Sequence, residues 1–316
     1  MSKIKFLVTG GAGFIGSNIV TELLKKGHEV RVLDNFSSGK RENLKDYGKD
    51  IELIEGDIRS YHIVQQAVKG VEVVLHQAAL PSVPRSIKDP ITSNDVNVNG
   101  TLNILDASVF NGVRRVVYAS SSSVYGDNPE LPKHESMLPN PLSPYAVSKL
   151  AGEKYCSVFS KIYGIETIAL RYFNVFGPKQ DPSSQYSAVI PKFIKSMLND
   201  ESPLIYGDGE QSRDFTYVTN VVDANILAAT SDCDSGIVMN CAYSGYITLN
   251  ELVKKINLNL NKEIVPRYEK PRAGDIKHSF ADISLAKSKI NYLPKINFDN
   301  GLKVTIDSFT GSTKSA

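Results

Sequence analysis

The chain has 316 residues, of which 41% are apolar and 22% are charged, and its formal net charge is +2. This length and composition are typical of a soluble globular protein with two domains or one large α/β unit, and so small a charge gives no reason to expect a nucleic-acid partner or a membrane surface. Three scattered cysteines and five histidines without ligand spacing indicate neither a disulfide framework nor a metal site. With no apolar stretch near the roughly 20 residues of a membrane span and no signal-peptide layout, the expected compartment is the cytoplasm.

Short β-branched runs alternate with amphipathic helical patterns through the first half of the chain. Strands are predicted at 4–8, 29–33, 51–55, 71–76, 115–119 and 166–170. Helices are predicted between and after them at 15–26, 63–68, 98–110 and 145–163. Continuous apolar strands that alternate with helices favour an α/β fold, a Rossmann doubly wound parallel sheet with helices on both faces.

The second half is less regular and richer in Pro, Gly, Asn and Asp. A Rossmann domain is therefore expected over 1–173. A smaller C-terminal α/β substrate-binding region, mainly 174–316, is expected to close over the carboxyl edge of the sheet. A helix at 223–230 and a strand at 238–242 fall within the stretch 213–242, which is expected to return to the first domain.

A glycine-rich segment, residues 10–16 (GGAGFIG), lies between the first strand and the first helix. Gly10 permits a tight turn, Gly13 lets the backbone approach a pyrophosphate, and Gly16 lets helix and strand pack closely. The helix N-terminus offers amide donors and a positive dipole end to the phosphates. In this strand–turn–helix context, the segment predicts a dinucleotide site.

Two aspartates follow later strands. Asp34 closes the second strand, where a carboxylate suits the ribose hydroxyls of NAD and repels the extra phosphate of NADP, although Lys40 and Arg41 lie close enough in sequence to leave NADP open. Asp57 ends the third strand, where an adenine would lie. Both aspartates could instead cap the segment that follows them.

Tyr145 and Lys149 lie four residues apart and therefore share one face of a helix. An ammonium near a phenol favours the phenolate, so the pKa of Tyr145 is expected to fall from its usual value of about 10. Such a phenol can take a proton from a sugar or alcohol hydroxyl and return it. The spacing alone favours an ordinary amphipathic helix, and the other motifs reverse that preference.

Together these motifs resemble the extended short-chain dehydrogenase/reductase family, most closely its nucleotide-sugar epimerases. The resemblance runs from residue 9 to residue 279 and depends on eight segments: 9–16 (TGGAGFIG), 76–79 (HQAA), 97–101 (NVNGT), 120–126 (SSSSVYG), 145–149 (YAVSK), 171–174 (RYFN), 207–215 (GDGEQSRDF) and 272–275 (RAGD). It implies a catalytic set of Ser121, Tyr145 and Lys149, with the choice among Ser120 to Ser123 left open.

The resemblance implies a transient oxidation with bound NAD. Tyr145 removes the proton of the sugar 4-hydroxyl, the C4 hydride moves to NAD⁺, and the 4-keto sugar turns over and takes the hydride back on its other face. Ser121 holds the same oxygen, and Lys149 lowers the pKa of Tyr145. Net redox change is zero, so the cofactor stays bound and water is excluded.

Two larger sets of binding residues are also implied by the resemblance. The expected NAD-binding set is Gly10, Gly13, Phe14, Ile15, Gly16, Asp34, Asn35, Ser37, Gly39, Asp57, Ile58, Gln77, Ala78, Ala79, Tyr145 and Lys149. The expected UDP-sugar-binding set is Ser82, Arg85, Ser122, Ser123, Asn174, Val189, Tyr206, Arg213, Arg272, Asp275 and Ser279.

Several of these positions narrow the substrate. Ser122 and Ser123 replace the Asp-Glu of similar dehydratases, so loss of water lacks its acid and base. Asp181 stands where similar UDP-glucuronate epimerases tend to have Arg, which disfavours a uronic acid if Asp181 faces the pocket. Ser279 leaves room for an N-acetyl group, and 79–87 resembles the subgroup that acts on UDP-N-acetylglucosamine. The expected function is a UDP-N-acetylglucosamine 4-epimerase that also accepts UDP-glucose.

Other functions remain open alternatives to this expectation. They are a UDP-glucuronate 4-epimerase, an enzyme with net NAD-dependent dehydrogenase or reductase turnover, and a non-catalytic NAD-sensing protein. Relatives often dimerise through two helices that match 98–110 and 145–163, so a homodimer is expected. The seam could comprise Leu102, Leu105, Val109, Leu150, Val158 and Ile162, or these side chains could face the sheet.

Overall fold

The computed structural model describes residues 3–181, 188–271 and 277–311. In chain order, its strands are β1 (Lys5–Thr9), β2 (Glu29–Asp34), β3 (Ile51–Glu55), β4 (Val73–His76), β5 (Arg115–Ser121), β6 (Glu166–Tyr172), β7 (Val175–Phe176), β8 (Leu204–Tyr206), β9 (Ser212–Arg213), β10 (Thr216–Tyr217), β11 (Ile237–Cys241), β12 (Ile247–Thr248), β13 (Arg267–Glu269) and β14 (His278–Ser279). Its α-helices are α1 (Phe14–Lys25), α2 (Tyr61–Val68), α3 (Val83–Lys88), α4 (Pro90–Asn94), α5 (Gly100–Phe110), α6 (Pro144–Tyr163), α7 (Val189–Leu198), α8 (Val218–Thr230), α9 (Leu249–Leu260), α10 (Ser284–Ile290) and α11 (Phe298–Thr310).

Seven parallel strands form the main sheet, in the order β11-β6-β5-β4-β1-β2-β3. The predicted α/β fold with a doubly wound parallel sheet is confirmed. The strands lie within about two residues of their predicted positions. Helix α8 begins at Val218, earlier than predicted, and π-helical residues Asp95–Asn99 precede α5.

Helices cover both faces of the sheet because successive side chains of each strand point to opposite faces. In β1, Phe6 and Val8 belong to one apolar core and Leu7 belongs to another, and all three are fully buried. Helices α1 and α8 pack together on the first face, and α2 and α5 pack together on the second.

The strand order reverses between β1 and β4, which are neighbours at the middle of the sheet. Their last residues, Thr9 and His76, are joined side chain to side chain at 2.7 Å. Ligands of open α/β sheets bind in the crevice outside the carboxyl ends of the strands at such a switch point. The fold therefore directs attention to the loops that follow β1, β2, β4 and β5.

Past Asn174 the described residues form three small sheets, β10-β7, β12-β9-β14 and β13-β8. Helix α9 contacts both α7 and α11 beside them. The chain also returns to the main sheet, since α8 packs on α1 and β11 pairs with β6 as an edge strand. Among the described residues, no helix has the length and apolar character needed to cross a membrane.

Candidate active site

A cleft of about 450 Å³ opens at the switch point of the sheet. Its walls are the glycine loop after β1, the ends of β2 and β3, residues 77–82 after β4, and the start of α6. Every residue of the expected NAD-binding set lines it except Gly39, whose Cα lies beside Asp34 and Ala12. Ser82 and Arg85, expected to face the sugar, line the same cleft.

The glycine loop is packed too tightly for side chains. A Cβ on Gly16 would lie 2.2 Å from the carbonyl oxygen of Gly10, and a Cβ on Gly10 would lie 2.8 Å from the backbone nitrogen of Ala78. Gly10 also has a φ of +67°. Helix α1 begins next to this loop with Gly13 as its N-cap and no side-chain cap, so its first amides point outward as donors for an anion.

Asp34 organises the loop from the end of β2. Its carboxylate accepts hydrogen bonds from the backbone amides of Ala12, at 2.9 Å, and Phe36, at 2.8 Å. Burial raises the pKa of Asp34, and the two amides partly oppose that rise. Because a carboxylate has about four acceptor positions, two remain for ribose hydroxyls.

The carboxylate of Asp57 is bound mainly by side chains, whereas that of Asp34 is bound by backbone amides. Arg59 forms two side-chain hydrogen bonds with it, at 2.8 and 3.0 Å, and Asn35 donates a third at 2.9 Å. These contacts, with the Arg59 side-chain bonds the largest cause, lower the pKa of Asp57 to about 2. Its carboxylate is therefore a fixed anion at the cleft wall.

The two cations that left NADP open are both paired with carboxylates. Lys40 pairs with Asp181 at 3.1 Å, and Arg41 pairs with Glu55 at 2.6 Å while its guanidinium lies over the Phe36 ring. Because both cations pair with carboxylates, neither is available to bind a phosphate on the ribose beside Asp34. The loop therefore favours NAD.

Helix α6 carries Tyr145 and Lys149 because its first turn is strongly capped. The Ser143 hydroxyl accepts from the Ala146 amide, Pro144 occupies the first turn, and Gly164 ends the helix in the left-handed conformation with a φ of 73°. The Tyr145 amide also donates to Ser86 Oγ of α3 at 3.0 Å. These contacts fix α6 against the segment that carries Ser82 and Arg85.

Residues at the carboxyl end of β5 lie next to Tyr145 and Lys149 of α6. The carbonyl oxygen of Ala119 accepts from Lys149 Nζ at 2.8 Å. Two residues on, Ser121 ends β5, and its hydroxyl is close enough to the Tyr145 phenol to lower the pKa of Tyr145. Lys149 Nζ lies 5.9 Å from the centroid of the Tyr145 ring. Tyr145 and Lys149 of the expected catalytic set therefore line the cleft together, and Ser121 lies next to Tyr145 without itself lining the cleft.

The prediction that the pKa of Tyr145 falls is wrong. Burial raises it, and the neighbouring Ser121 hydroxyl offsets only part of the rise. Lys149 does not reverse this effect, because burial also disfavours its own charge and lowers its pKa to about 8. The phenol and the amine are both pushed toward their neutral forms.

The serines of the four-serine run have different surroundings. Ser120 is buried, lines the cleft and donates to Glu153, whereas Ser121 ends β5 next to Tyr145. Ser122 and Ser123 lie on the following 3₁₀ turn, Ser122–Tyr125. Among the described residues, neither is part of the lining of the two clefts, and Ser123 Oγ is buried without a hydrogen-bond partner.

A second cleft, of about 320 Å³, adjoins the first through Val175 and Ala188, which line both. Four residues of the expected UDP-sugar set line this second cleft: Asn174, Val189, Tyr206 and Arg213. Ser279 lies on β14 in register with Arg213 of β9, one strand away from the lining. Arg272 and Asp275 lie outside the described residues.

Comparison of the chain with known protein families and structures agrees with the site geometry described above. Residues 6–242 match the NAD-dependent epimerase/dehydratase family. The chain belongs to that family. The predicted resemblance to nucleotide-sugar epimerases and the predicted NAD cofactor are both confirmed.

Several relatives are similar to this chain over nearly its whole length. A putative UDP-glucose 4-epimerase of Methanocaldococcus jannaschii is 39% identical and covers 95% of this chain and 97% of its own. A structure of a UDP-N-acetylglucosamine 4-epimerase from Methanobrevibacter ruminantium, in complex with UDP-N-acetylmuramic acid, is 44% identical with a TM-score of 0.94 over 99% and 100% of the two chains. A Thermus thermophilus UDP-glucose 4-epimerase complex with NAD is 36% identical, with a TM-score of 0.90 over 98% and 100%.

Relatives named for an acidic sugar are also similar. A UDP-glucuronate 4-epimerase of Thermodesulfobacterium geofontis is 32% identical over 96% of this chain and 95% of that protein. The comparisons therefore agree on the family and the cofactor, and they differ on the sugar.

Sequence reasoning missed two buried polar groups of this epimerase-family site. Glu153 and Arg171 are each 3% exposed and form a bidentate ion pair directly below Ser120. A helical-face argument could have found Glu153, because it follows Lys149 by four residues just as Lys149 follows Tyr145. Arg171 gave no such signal, since a buried arginine cannot be told from a surface one in a strand.

Proposed function

We propose that this protein is a UDP-sugar 4-epimerase that interconverts UDP-N-acetylglucosamine and UDP-N-acetylgalactosamine, with UDP-glucose as a second substrate. One observation carries the proposal. Tyr145 and Lys149 line one cleft together with the glycine loop and Asp34, and Ser121 lies next to Tyr145. That arrangement places a proton acceptor, a hydroxyl and a cation next to a dinucleotide site.

The chain's own groups handle the proton and the sugar oxygen. Tyr145 accepts the proton of the sugar 4-hydroxyl and later returns it, and Ser121 hydrogen-bonds the same oxygen. Lys149 supplies positive charge that favours the phenolate. Bound NAD⁺ supplies the acceptor that takes the C4 hydride and gives it back, so the two sugar epimers differ only at that carbon.

The residues of the first cleft fit NAD. Its pyrophosphate would lie at Gly13 and the start of α1, and Asp34 would accept from the ribose hydroxyls. Asp57 and Ile58 would hold the adenine, as expected from their place after β3. Lys149 would hold the nicotinamide ribose.

The second cleft suits the nucleotide of the substrate. Arg213 would bind the diphosphate, Tyr206 would stack on the uracil, and Asn174 would contact the diphosphate or sugar. Because the two clefts share Val175 and Ala188, a UDP-sugar in the second cleft can extend its sugar toward Tyr145. Arg272 and Asp275, expected to complete this site, lie outside the described residues.

The N-acetyl preference is supported by two features. Ser82 and Arg85 line the first cleft beside Tyr145, and the small Ser279 lies in register with Arg213. The 44% identical structure from Methanobrevibacter ruminantium carries the name of an enzyme acting on UDP-N-acetylglucosamine. A small side chain at residue 279 would leave space at C2 of the sugar.

UDP-glucuronate is the main competing substrate. Asp181 lines the first cleft, where its charge would oppose a sugar carboxylate. Its pairing with Lys40 at 3.1 Å weakens that repulsion. Asp181 therefore disfavours a uronic acid less strongly than an unpaired carboxylate would.

A homodimer through α5 and α6 is part of the proposal. Val158 and Ile162 of α6 are 45% and 69% exposed, and Phe110 at the end of α5 is 79% exposed. Leu105 of the expected seam is fully buried and faces the sheet, so it is not available to a partner. An exposed apolar surface on two adjacent helices is suited to a second copy of the same surface.

The experiment compares purified wild-type protein and Ser279→Tyr on UDP-N-acetylglucosamine, UDP-glucose and UDP-glucuronate, with no cofactor added and with sugar analysis of the products. Wild type is expected to form UDP-N-acetylgalactosamine. The larger side chain should lower N-acetyl turnover about tenfold or more while sparing UDP-glucose, the size of effect expected from a steric clash in a sugar pocket.

Three results would contradict the proposal. Faster turnover of UDP-glucuronate than of the other sugars would make this a uronate epimerase. NADH that accumulates in step with product would make it a net dehydrogenase. Bound NAD without any sugar conversion, in wild type and Tyr145→Phe alike, would leave a non-catalytic NAD-binding protein.

A further inference from the structure

Glu153 is a buried carboxylate on the catalytic face of α6. It lies four residues beyond Lys149 and eight beyond Tyr145, and it is 3% exposed. Residues four apart are neighbours on a helix surface. A carboxylate so deeply buried is costly unless paired and hydrogen-bonded. Its hydrogen-bond partners, Ser120 and Arg171, belong to β5 and β6, the two strands that lead into the site.

The carboxylate holds the strand end that carries Ser121. Its Oε1 accepts from Ser120 Oγ at 2.5 Å and from Arg171 Nε at 2.8 Å, and its Oε2 accepts from Arg171 Nη2 at 2.8 Å. Ser120 and Arg171 are also cross-strand partners on β5 and β6. The backbone directly before Ser121 is thus fixed by a charge-assisted network.

The same network holds the residues after Ser121. The guanidinium carbon of Arg171 lies 4.6 Å from the centroid of the Tyr125 ring, and Tyr125 is the last residue of the 3₁₀ turn that follows Ser121. The Tyr125 hydroxyl donates to Asn240 at 2.7 Å. Ser121 is therefore held from both sides, through Ser120 and through Tyr125.

Glu153 also provides a negative charge for Lys149. Within the described part of the chain, the titratable groups that face Lys149 are Tyr145, Glu153 and Cys156 of α6, Tyr118 of β5 and His76 of β4. Burial raises the pKa of Tyr118, Tyr145 and Cys156 and lowers that of His76 to about 3, which leaves all four neutral near pH 7. The charged groups in this neighbourhood are therefore Glu153 and its partner Arg171 from β6.

We propose that Glu153 is a positioning residue for the reaction. Its carboxylate fixes the turn that places Ser121 against Tyr145, and its charge keeps Lys149 protonated. This inference rests on the proposed function, because it assigns Glu153 a part in the proton transfer by Tyr145.

A matched control lies at the opposite ends of the same two strands. Arg115 opens β5 and is 3% exposed, and its Nε donates to Glu166, which opens β6, at 2.7 Å. This pair also joins a buried arginine to a glutamate across β5 and β6 and lies far from the cleft, although Glu166 is partly exposed and also pairs with Arg114. Glu166→Gln removes a carboxylate from a buried arginine without touching the catalytic groups.

The test is the pH profile of kcat for wild type, Glu153→Gln and Glu166→Gln. At an effective dielectric constant near 20, removal of the Glu153 charge one helical turn from Lys149 is expected to lower the pKa of Lys149 by about one unit. The break in the profile of Glu153→Gln should move down by that amount, and the plateau should fall about tenfold because fewer molecules carry the phenolate beside a charged amine. Glu166→Gln should keep the wild-type break and plateau.

Two further measurements keep the inference testable if Glu153→Gln folds poorly or no sugar is turned over. Ser120→Ala removes one hydrogen bond to Glu153 without removing a charge, so it should lower kcat severalfold with an unchanged break. The pH dependence of Lys149 acetylation by acetic anhydride, read by peptide mass spectrometry, reports the pKa of Lys149 without any substrate.

Sugar turnover tests the proposed function, and the acetylation profile tests the role of Glu153 separately. Wild type that converts no UDP-sugar refutes the proposed function, whereas the acetylation profile still decides the role of Glu153 by shifting down in Glu153→Gln or staying in place. Active wild type together with Glu153→Gln and Ser120→Ala profiles that match Glu166→Gln would overturn the inference.

Discussion

At the scale of single residues, burial acts in opposite directions on the two side chains that carry the proposed chemistry. It raises the pKa of Tyr145 and lowers that of Lys149 to about 8. The reactive form, a phenolate beside an ammonium, is therefore a minor form of the singly deprotonated pair. This explains why the pair needs further support from Ser121 and from Glu153.

The pH dependence of kcat follows from these two groups. The reactive form has lost one proton from the pair, so its abundance follows the first proton lost, which belongs to Lys149. We expect kcat to rise about tenfold per pH unit below about pH 8 and to level off above it. In Lys149→Met only Tyr145 titrates, with its raised pKa, so the break near pH 8 should disappear and kcat should keep rising with pH above it. A profile that is flat from pH 6 to pH 8 in wild type, or a break near pH 8 that is kept in Lys149→Met, would contradict this assignment.

Residue identities at the site were predictable where a motif fixes the backbone. The glycines and Asp34 fall in the cleft because strand, turn and helix follow one another in a short segment. The direction of the Tyr145 pKa was not predictable, because helical spacing gives proximity to Lys149 but not the burial of both groups. Glu153 was overlooked for a related reason, since its partners Ser120 and Arg171 come from two other strands.

At the scale of elements, the site depends on how closely α1 approaches β1 and β4. The limiting contact is at Gly16, where a Cβ would lie 2.2 Å from the Gly10 carbonyl oxygen and 2.8 Å from the Gly11 Cα. Both neighbours are backbone atoms that cannot rotate away. The start of α1 would have to move away from the loop that is expected to hold the pyrophosphate.

Gly16→Ala is therefore expected to lose bound NAD and to destabilise the fold by about 1–3 kcal/mol, the usual cost of an overpacked core. Gly48→Ala is the control, because no atom lies within 4 Å of a Cβ there and its φ is negative. NAD released from each purified protein on denaturation gives the measurement. Retention of a full complement of NAD by Gly16→Ala would refute the predicted role of this contact.

Helix and strand positions were predicted well because the central strands β1, β4, β5 and β6 are buried on both faces and are rich in consecutive apolar residues. The start of α8 was missed since Val218 and Thr219 are β-branched and favour a strand. The π-helical residues Asp95–Asn99 were missed as well, because a single inserted residue leaves the apolar pattern of a helix almost unchanged.

At the scale of the whole molecule, the exposed apolar side chains of α6 raise the question of what covers them. Val147, Val158 and Ile162 are 51%, 45% and 69% exposed, and their spacing places them on one face of the helix. The sequence could not decide whether such residues face the sheet or a partner, because both are apolar surroundings. The structure separates them: Leu105 is fully buried and Leu102 and Val109 pack against the same core, whereas Val158 and Ile162 are exposed.

Ile162→Asp is expected to yield monomers, because a charge in the middle of an apolar seam leaves an unpaired carboxylate in the interface. Leu258→Asp provides the control, since Leu258 is 77% exposed on α9, outside the proposed seam. Light scattering of the three purified proteins gives their masses. A wild-type monomer, or an Ile162→Asp dimer as stable as wild type, would contradict the proposed homodimer.

The most direct test of the account follows one hydrogen atom. UDP-N-acetylglucosamine that carries deuterium at C4 is incubated with the purified protein in ordinary water, without added cofactor, and the product is analysed by NMR and mass spectrometry. Transient oxidation in a closed site predicts UDP-N-acetylgalactosamine that keeps its deuterium at C4, with Tyr145→Phe slowed by about a hundredfold or more. Product that has exchanged the C4 label for solvent hydrogen, or full activity in Tyr145→Phe, would contradict it.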